Sequence, residues 1–319
     1  MKTFLTKNWL FGGILVAILL AFGFPRLGRW VREYDVLNVV IFVAFFITGL
    51  TLETSSIRSR LRGFSAPAAA MISSLVVIPL LAWFTAGLLL PSELVIGVCI
   101  IATAPVTVSA GTVMTVLGRG NVPLSLFICV LGNALAIFTI PFSLNLLLRF
   151  GGNIELPVLR MLGVLALTVL VPTILGQGVR SLARERLLPY GKTFSVFQQC
   201  TILMIIFNAM ASSAARILQA GTTVIAVLLF MVLLHSLVLA MNYGIARWIG
   251  LDRPSTTAFT IHTSQKTLTV SYVVWAGYFA AQYPMALIPA IGYHLTQTIM
   301  DSILAERFRR AADRAVRST

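Results

Sequence analysis

Ten apolar runs follow one another along the chain, separated by charged residues or by Pro and Gly. Most of these runs are long enough to cross the hydrocarbon core of a bilayer as a helix. Only 11% of the residues are charged, against about 25% in soluble domains. The pattern predicts an all-α membrane protein with about ten transmembrane helices, forming a single unit over 1–319, and it disfavours soluble enzyme classes. The predicted spans are 9–25, 36–52, 66–90, 93–117, 123–148, 157–179, 194–215, 222–249, 256–280 and 284–305.

The basic residues predict how these spans are oriented. Ten spans place both termini on one side of the membrane. Of the 24 Lys and Arg residues, six fall on the opposite side, Lys266 falls inside a span, and the other 17 share the side of the termini. The six are Arg26, Arg29, Arg32, Arg149, Arg160 and Arg216. The positive-inside rule then predicts cytoplasmic termini, a basic cytoplasmic tail at 306–319 and a bacterial inner membrane location. The net charge of +14 thus indicates orientation among lipids and not nucleic acid binding.

Two spans are interrupted near their middles. The fourth contains Pro105, Gly111 and five hydroxyl residues, and the ninth contains the polar stretch 260–269. Each is the fourth span in a set of five, so two halves, about 1–150 and 151–305, would have opposite topology. Matched interrupted helices in inverted halves indicate a transporter binding site near the bilayer midplane, although Pro105 alone is also typical of an ordinary kink.

Lys266 lies about halfway along the ninth span. A cation at that depth costs roughly 2.5–3.5 kcal/mol on insertion scales, so it normally faces a cavity or a partner. It suits a fixed cation that attracts an anionic substrate, or a titrating amine that couples protons; a structural salt bridge is the alternative.

The acidic residues limit the choice of coupling ion. All of them fall in loops or at helix ends, with only Asp301, near the cytoplasmic end of the tenth span, able to reach inward. We therefore expect no carboxylate near the midplane. Sodium sites normally include compensating negative charge, so Lys266 is expected to fill the space of a coupling cation.

Other polar residues complete the predicted site for substrate or ions. Free amides of half-helix N-termini suit an anion. His294 also begins a stripe, continued by Gln297 and Asp301, along one helix face. No metal-ligand spacing or enzyme motif occurs in the sequence, so we predict neither a metal centre, nor an organic cofactor, nor catalysis. The predicted binding residues are Pro105, Thr107, Ser109, Thr112, Asn133, His262, Thr263, Ser264, Gln265, Lys266, Thr267 and His294.

Several short stretches resemble the bile acid:sodium symporter family over about 36–305. They are Phe46–Thr51, Pro105 with Val113–Thr115, Gly118–Asn121, His235, Thr260–Ile261 and Tyr293–His294. The resemblance implies a ten-helix inverted repeat in which broken helices 4 and 9 cross. It also implies a panel domain from spans 1, 2, 6 and 7, a core domain from spans 3–5 and 8–10, a substrate cavity between them, and two sodium ions behind the crossover.

The chain departs from that family where sodium would bind. The family's Glu and Gln of the ninth helix fall on His262 and Lys266, and the Gln of the third falls on Ser74. Polar ligands of the fourth and fifth helices fall on Gly111, Thr112, Gly132 and Asn133. The string 264–268 instead resembles a divergent, symporter-like branch that is grouped with cation/proton antiporters.

These observations predict a secondary active transporter of a small organic anion that works by alternating access. Lys266 would act as an intramembrane cation, and transport would be proton-coupled or uncoupled. A second hypothesis keeps sodium coupling through neutral ligands such as Thr112, Asn133 and Thr263. A third is a membrane sensor or scaffold that binds a ligand without moving it.

Overall fold

The protein is represented by a computed structural model that describes residues 9–52, 65–152 and 154–317. Within these ranges the ordered elements are helices, and no β-strand occurs. Lys2, Lys7, Arg58, Arg60 and Arg62, which the positive-inside count assigns to the cytoplasm, lie outside the described residues.

The helices are numbered in chain order. They are α1 Trp9–Gly23, α2 Pro25–Glu33, α3 Val36–Thr51, α4 Ser65–Leu89, α5 Ser92–Thr103, α6 Ser109–Leu117, α7 Val122–Gly152, α8 Val158–Leu165, α9 Val171–Leu187, α10 Gly191–Ala220, α11 Thr222–Trp248, α12 Arg253–Ser264, α13 Leu268–Tyr278 and α14 Ile288–Arg317. A π-helical turn, Ser73–Val77, lies within α4, and another, Ala166–Leu170, joins α8 to α9.

Four helical segments are long and apolar enough to cross a membrane by length and composition. They are Ser65–Leu89, Val122–Gly151, Val158–Ala220 and Thr222–Trp248. The third has 63 residues and covers the predicted sixth and seventh spans, with non-helical backbone at Ala183 between them. Shorter apolar helices occupy Gly12–Gly23, Val36–Thr51 and Ser92–Thr103. The fold is therefore that of a multi-pass helical membrane protein, while ten spans and an inverted repeat stay predictions.

Two helices extend beyond the predicted boundaries. α2 covers residues that the sequence pattern leaves in a loop, and it begins at Pro25, a residue that suits the first position of a helix. α14 continues through the tenth span into the predicted tail as far as Arg317.

The helices pack as two groups. By their contacts, the panel group, as we name it, consists of α1, α2, α3, α9 and α10, and the core group consists of α4–α7 and α11–α14, while α8 contacts α7 of the core group. The division into two transport domains stays a prediction. Within the panel group, α3 and α9 touch backbone to backbone: a Cβ atom added to Gly49 would stand 2.2 Å from the Thr173 carbonyl oxygen, and one added to Gly176 would stand 2.1 Å from that of Phe46. Small residues at such contacts permit close helix packing. The core group includes the two interrupted spans, α5 with α6 and α12 with α13.

Candidate transport site at two helix breaks

The first break divides the predicted fourth span. Helix α5 ends at Thr103, and the next helix begins at Ser109. Pro105 explains this because it lacks an amide proton and disfavours helical geometry in the residue before it. Ala104 is indeed extended, with φ −61° and ψ 152°. One freed carbonyl, that of Val106, accepts a hydrogen bond from Asn133 Nδ2 at 3.1 Å.

The second break divides the predicted ninth span between Ser264 and Leu268. Its backbone groups bond to Gln297 of α14. The Lys266 amide donates to Gln297 Oε1 at 2.8 Å, and Gln297 Nε2 donates to the Lys266 carbonyl at 2.9 Å. The glutamine therefore replaces two hydrogen bonds that a continuous helix would have supplied.

The two breaks contact each other directly. The Thr267 amide donates to the Pro105 carbonyl at 2.9 Å. His262 Nε2 lies 2.8 Å from the Thr107 carbonyl, and the Thr107 hydroxyl donates to the side chain of Gln265. Interrupted backbone inside a bilayer is tolerated where it is buried in protein or lines a cavity.

The Lys266 side chain is fully buried behind this contact. Its ammonium nitrogen donates to the Ser74 carbonyl at 2.6 Å, the Ser74 hydroxyl at 3.1 Å and the Ala104 carbonyl at 3.0 Å. An ammonium group has three N–H donors, and here each has an oxygen acceptor. Ser74 lies in the π-helical turn of α4, so the irregular backbone of the third and fourth spans together holds the lysine.

The imidazole of His262 fills a second buried position. Nε2 faces the Thr107 carbonyl at 2.8 Å, and Nδ1 lies 2.5 Å from the Ser125 hydroxyl. A carbonyl can only accept, so Nε2 carries a proton and Nδ1 of a neutral ring accepts from Ser125. Gly111 makes room for the ring, because a Cβ atom there would stand 2.5 Å from it.

Asp301 contradicts one expectation from the sequence. Its buried carboxylate reaches the second break, where Gln265 Nε2 donates to Oδ2 at 2.7 Å, while Oδ1 lies 2.8 Å from His235 Nε2. His235 Nδ1 lies 3.0 Å from the Tyr293 hydroxyl, which donates to the Ser264 carbonyl at 2.8 Å. The expectation of no carboxylate near the midplane is therefore wrong at the second break, where Asp301 accepts a hydrogen bond from Gln265.

The sequence contains a signal for the contact between Asp301 and Gln265. His294, Gln297 and Asp301 share one face of α14, and the structure directs Gln297 to Lys266 and Asp301 to Gln265. The position of Asp301 along the tenth span predicts that it lies near the cytoplasmic surface of the membrane. The break instead exposes the Gln265 side chain to that helix face.

A cavity of about 80 Å³ lies between the panel and core groups beside the breaks. Its wall includes Ser109 at the start of α6 and Leu268 at the start of α13, so two helix N-termini, each with positive partial charge, face one space. A neighbouring, mostly apolar cavity of about 220 Å³ shares Phe45, Thr48 and Asn133 with it.

Some of the predicted residues line this cavity, and the others do not. Thr107, Ser109, Asn133, Thr267 and His294 line the 80 Å³ cavity. Pro105, Thr112, His262, Thr263, Ser264, Gln265 and Lys266 are not in its wall. Of the remaining altered sodium positions, Ser74 binds Lys266, and Gly132 lies on α7 beside Val106 and Met71. Lys266 thus does not line the cavity, although its neighbour Thr267 does.

Helical membrane proteins with two broken helices in contact beside a cavity are typical of secondary transporters. The sequence profile of the SBF-like CPA transporter family matches residues 8–310, nearly the whole chain. The chain belongs to this family of membrane transporters, a part of the wider bile acid:sodium symporter family.

Three relatives illustrate the range of the similarity. A protein of Oryza sativa subsp. indica named probable sodium/metabolite cotransporter BASS4, chloroplastic, is 28% identical over 96% of this chain and 77% of its own length. Sodium/bile acid cotransporter 7-B of Xenopus laevis is 25% identical, covering 94% of this chain and 91% of its own. A Bacillus subtilis protein named uncharacterized sodium-dependent transporter YocS is 23% identical, covering 92% and 88%.

Proposed function

We propose that this protein is a secondary active transporter of a small organic anion in which Lys266 replaces a coupling sodium ion. The observation that carries the proposal is the set of three oxygen atoms around the Lys266 ammonium, at 2.6, 3.1 and 3.0 Å. Carbonyl and hydroxyl oxygens are the ligands that a bare hard cation uses in proteins. The Lys266 ammonium would therefore supply a fixed positive charge at the position where the resemblance to the family implies a mobile sodium ion.

His262 supports the same interpretation at the second implied sodium position. Its ring is held by Thr107 and Ser125, and it occupies the volume that Gly111 leaves open. A neutral imidazole bonded on both sides provides no vacant oxygen cage. On this proposal, side chains of this chain would fill both positions that the resemblance implies for sodium.

The cavity between the panel and core groups is the proposed substrate site. The N-termini of α6 and α13 would bind the anionic group of the substrate. The adjoining apolar cavity would receive its hydrocarbon part. Lys266 does not line this cavity. It would act on the site by fixing the backbone of the two breaks and by adding a positive electrostatic potential.

Alternating access would come from movement of the core group against the panel group. The two groups meet at the cavity, where Gln198 Nε2 of α10 donates to the Thr48 hydroxyl of α3 at 3.1 Å on the panel side. We infer a bacterial inner membrane location with cytoplasmic termini from the distribution of Lys and Arg.

The first experiment is a thermal-shift screen of the purified chain against small organic anions, with sodium and pH varied independently. A ligand that binds only the folded state raises the melting temperature as its concentration exceeds the dissociation constant. Uptake of a stabilising anion into proteoliposomes then tests transport. An anion that binds tightly but is never taken up would support the sensor or scaffold hypothesis and contradict the carrier.

Sodium-coupled symport is the second candidate, favoured by the names of the relatives. The Thr263 hydroxyl, buried and without a hydrogen-bond partner among the described residues, is available as a neutral ligand. Uptake measured with and without a sodium gradient at fixed pH separates the two candidates. A pH gradient, applied without sodium, then shows whether protons drive transport.

A further inference from the structure

A basic cavity of about 700 Å³ lies where the ends of α6, α11, α12 and α14 meet. Four arginines line it: Arg119, Arg247, Arg253 and Arg314. The distribution of Lys and Arg predicts that all four arginines lie on the cytoplasmic side of the membrane. The cavity lies outside the transport site and is not used by the proposed mechanism.

The acidic residues near this cavity are already engaged. Asp313 pairs with Arg119 at 2.7 Å, and Asp252 accepts a hydrogen bond from the Ser255 amide at the start of α12. Hydrogen bonds from Arg309 and Arg310 lower the pKa of the Glu306 carboxyl to about 2. Within residues 9–52, 65–152 and 154–317, no acidic side chain forms an ion pair with Arg247, Arg253 or Arg314. The cavity therefore carries uncompensated positive charge.

An apolar cavity of about 530 Å³ adjoins the basic one between α11 and α14. Leu239, Ala240, Met300, Ile303 and Leu304 form half of its wall, and Arg307 also lines it. It opens toward the outside of the bundle, where Ile303 is 51% exposed. Thr260 also lines it, and its buried hydroxyl has no hydrogen-bond partner within the described part of the chain.

Two aromatic residues join the cavities. Tyr243 and Phe308 line both, and their rings stack with centroids 6.3 Å apart. The combined surface thus has a cationic end at the predicted headgroup level and an apolar channel that continues along the membrane-facing helices. A free phosphate ion would satisfy only the first of these features.

We propose that this surface is a binding site for an anionic phospholipid, with the headgroup among Arg247, Arg253 and Arg314 and an acyl chain between α11 and α14. Basic pockets between transmembrane helices on the cytoplasmic side suit anionic headgroups. The Thr260 hydroxyl is placed to donate to an ester oxygen of the glycerol region. A bound lipid would join the ends of four core helices and stabilise the core group against unfolding.

The experiment uses the full chain purified in detergent, with phosphatidylglycerol as the probe, phosphatidylcholine and inorganic phosphate as comparisons, and two readouts: lipid retention in native mass spectrometry and melting temperature. We expect retention and stabilisation with phosphatidylglycerol alone. Arg247→Gln/Arg253→Gln should weaken apparent binding about tenfold or more, since each basic residue near the surface adds attraction for anionic lipid. Arg186→Gln/Lys192→Gln removes the same charge from exposed positions outside the cavity and should bind as the parent does.

Ala240→Trp tests the acyl-chain channel separately by filling it, and should also reduce retention. If Arg247→Gln/Arg253→Gln does not elute as folded protein, Ala240→Trp still tests the proposal. Equal retention of phosphatidylcholine, equal stabilisation by inorganic phosphate, or equal binding by the two double variants would each overturn the proposal. None of these results depends on transport.

Discussion

The two helix breaks are stabilised in different ways. The first break, 104–108, is caused by backbone chemistry at Pro105, and its freed groups are satisfied by neighbours such as Asn133. The second, 265–267, contains no proline or glycine and depends on side chains: Gln297 holds its backbone, Asp301 holds Gln265, and Lys266 extends from it to Ser74 and Ala104. The second break therefore contains more of the side-chain hydrogen bonds on which the site depends. Substitutions there should therefore have larger effects than substitutions at the first.

The largest effect is expected from Lys266→Met. It removes the donor from three buried oxygen atoms, and unsatisfied buried polar groups cost about 1–3 kcal/mol each. We expect a loss of roughly 3 kcal/mol in unfolding free energy and no uptake. Melting of purified protein measures the first, with Lys192→Met as a control at an exposed lysine. A melting temperature within one degree or so of the parent would contradict the role given to the three contacts.

Asp301→Asn should have the next largest effect. The carboxylate accepts from both Gln265 and His235, whereas an amide has only one accepting oxygen. We expect about 2 kcal/mol of destabilisation, the usual order for a disturbed hydrogen bond to a charged group. Asp313→Asn, at a partly exposed ion pair on the same helix, should change stability by less than about 1 kcal/mol. If the two variants melt alike, Asp301 has no special part in holding the second break.

Gly111→Ala tests the fit between the breaks. The added Cβ atom would stand 2.5 Å from the His262 ring, and overpacking of this kind costs about 1–3 kcal/mol. The double variant Gly111→Ala/His262→Ala should recover part of the loss, because the ring that collides is gone. A double-mutant cycle measured by melting gives the coupling, and simple additivity would be evidence against it.

Pro105→Ala should have the smallest effect. Pro105 lies outside the helices, and the contact that joins it to the second break, from the Thr267 amide to the Pro105 carbonyl, does not need the proline ring. We expect a loss of less than about 1 kcal/mol, mainly through the added freedom of the unfolded chain. Uptake should persist. A loss as large as that of Lys266→Met would reverse the order of the two breaks.

The sequence predicted the features that depend on residue type and spacing. Pro105 and the polar stretch 260–269 located both breaks, and the ammonium of Lys266 required a partner at its depth. The resemblance already places Ser74 with Lys266 among the altered sodium positions, but the carbonyl of Ser74 as the acceptor was not predictable, since a π-helical turn gives no distinct sequence signal. Asp301 was misjudged because linear position along a span does not give the depth of a side chain once the neighbouring helix is broken. The extent of α2 shows the same limit, as an arginine-rich segment after Pro25 reads equally well as a loop.

The sodium dependence of uptake tests the central claim most directly. A stabilising organic anion is taken up into proteoliposomes at fixed pH, with either a sodium gradient or N-methylglucamine, by the parent chain, by Lys266→Gln and by the control Lys192→Gln. The account predicts equal uptake by the parent under both conditions, the same for the control, and uptake by Lys266→Gln that is lost or becomes dependent on sodium. Sodium-dependent uptake by the parent, or uptake by Lys266→Gln that matches the parent without sodium, would contradict it.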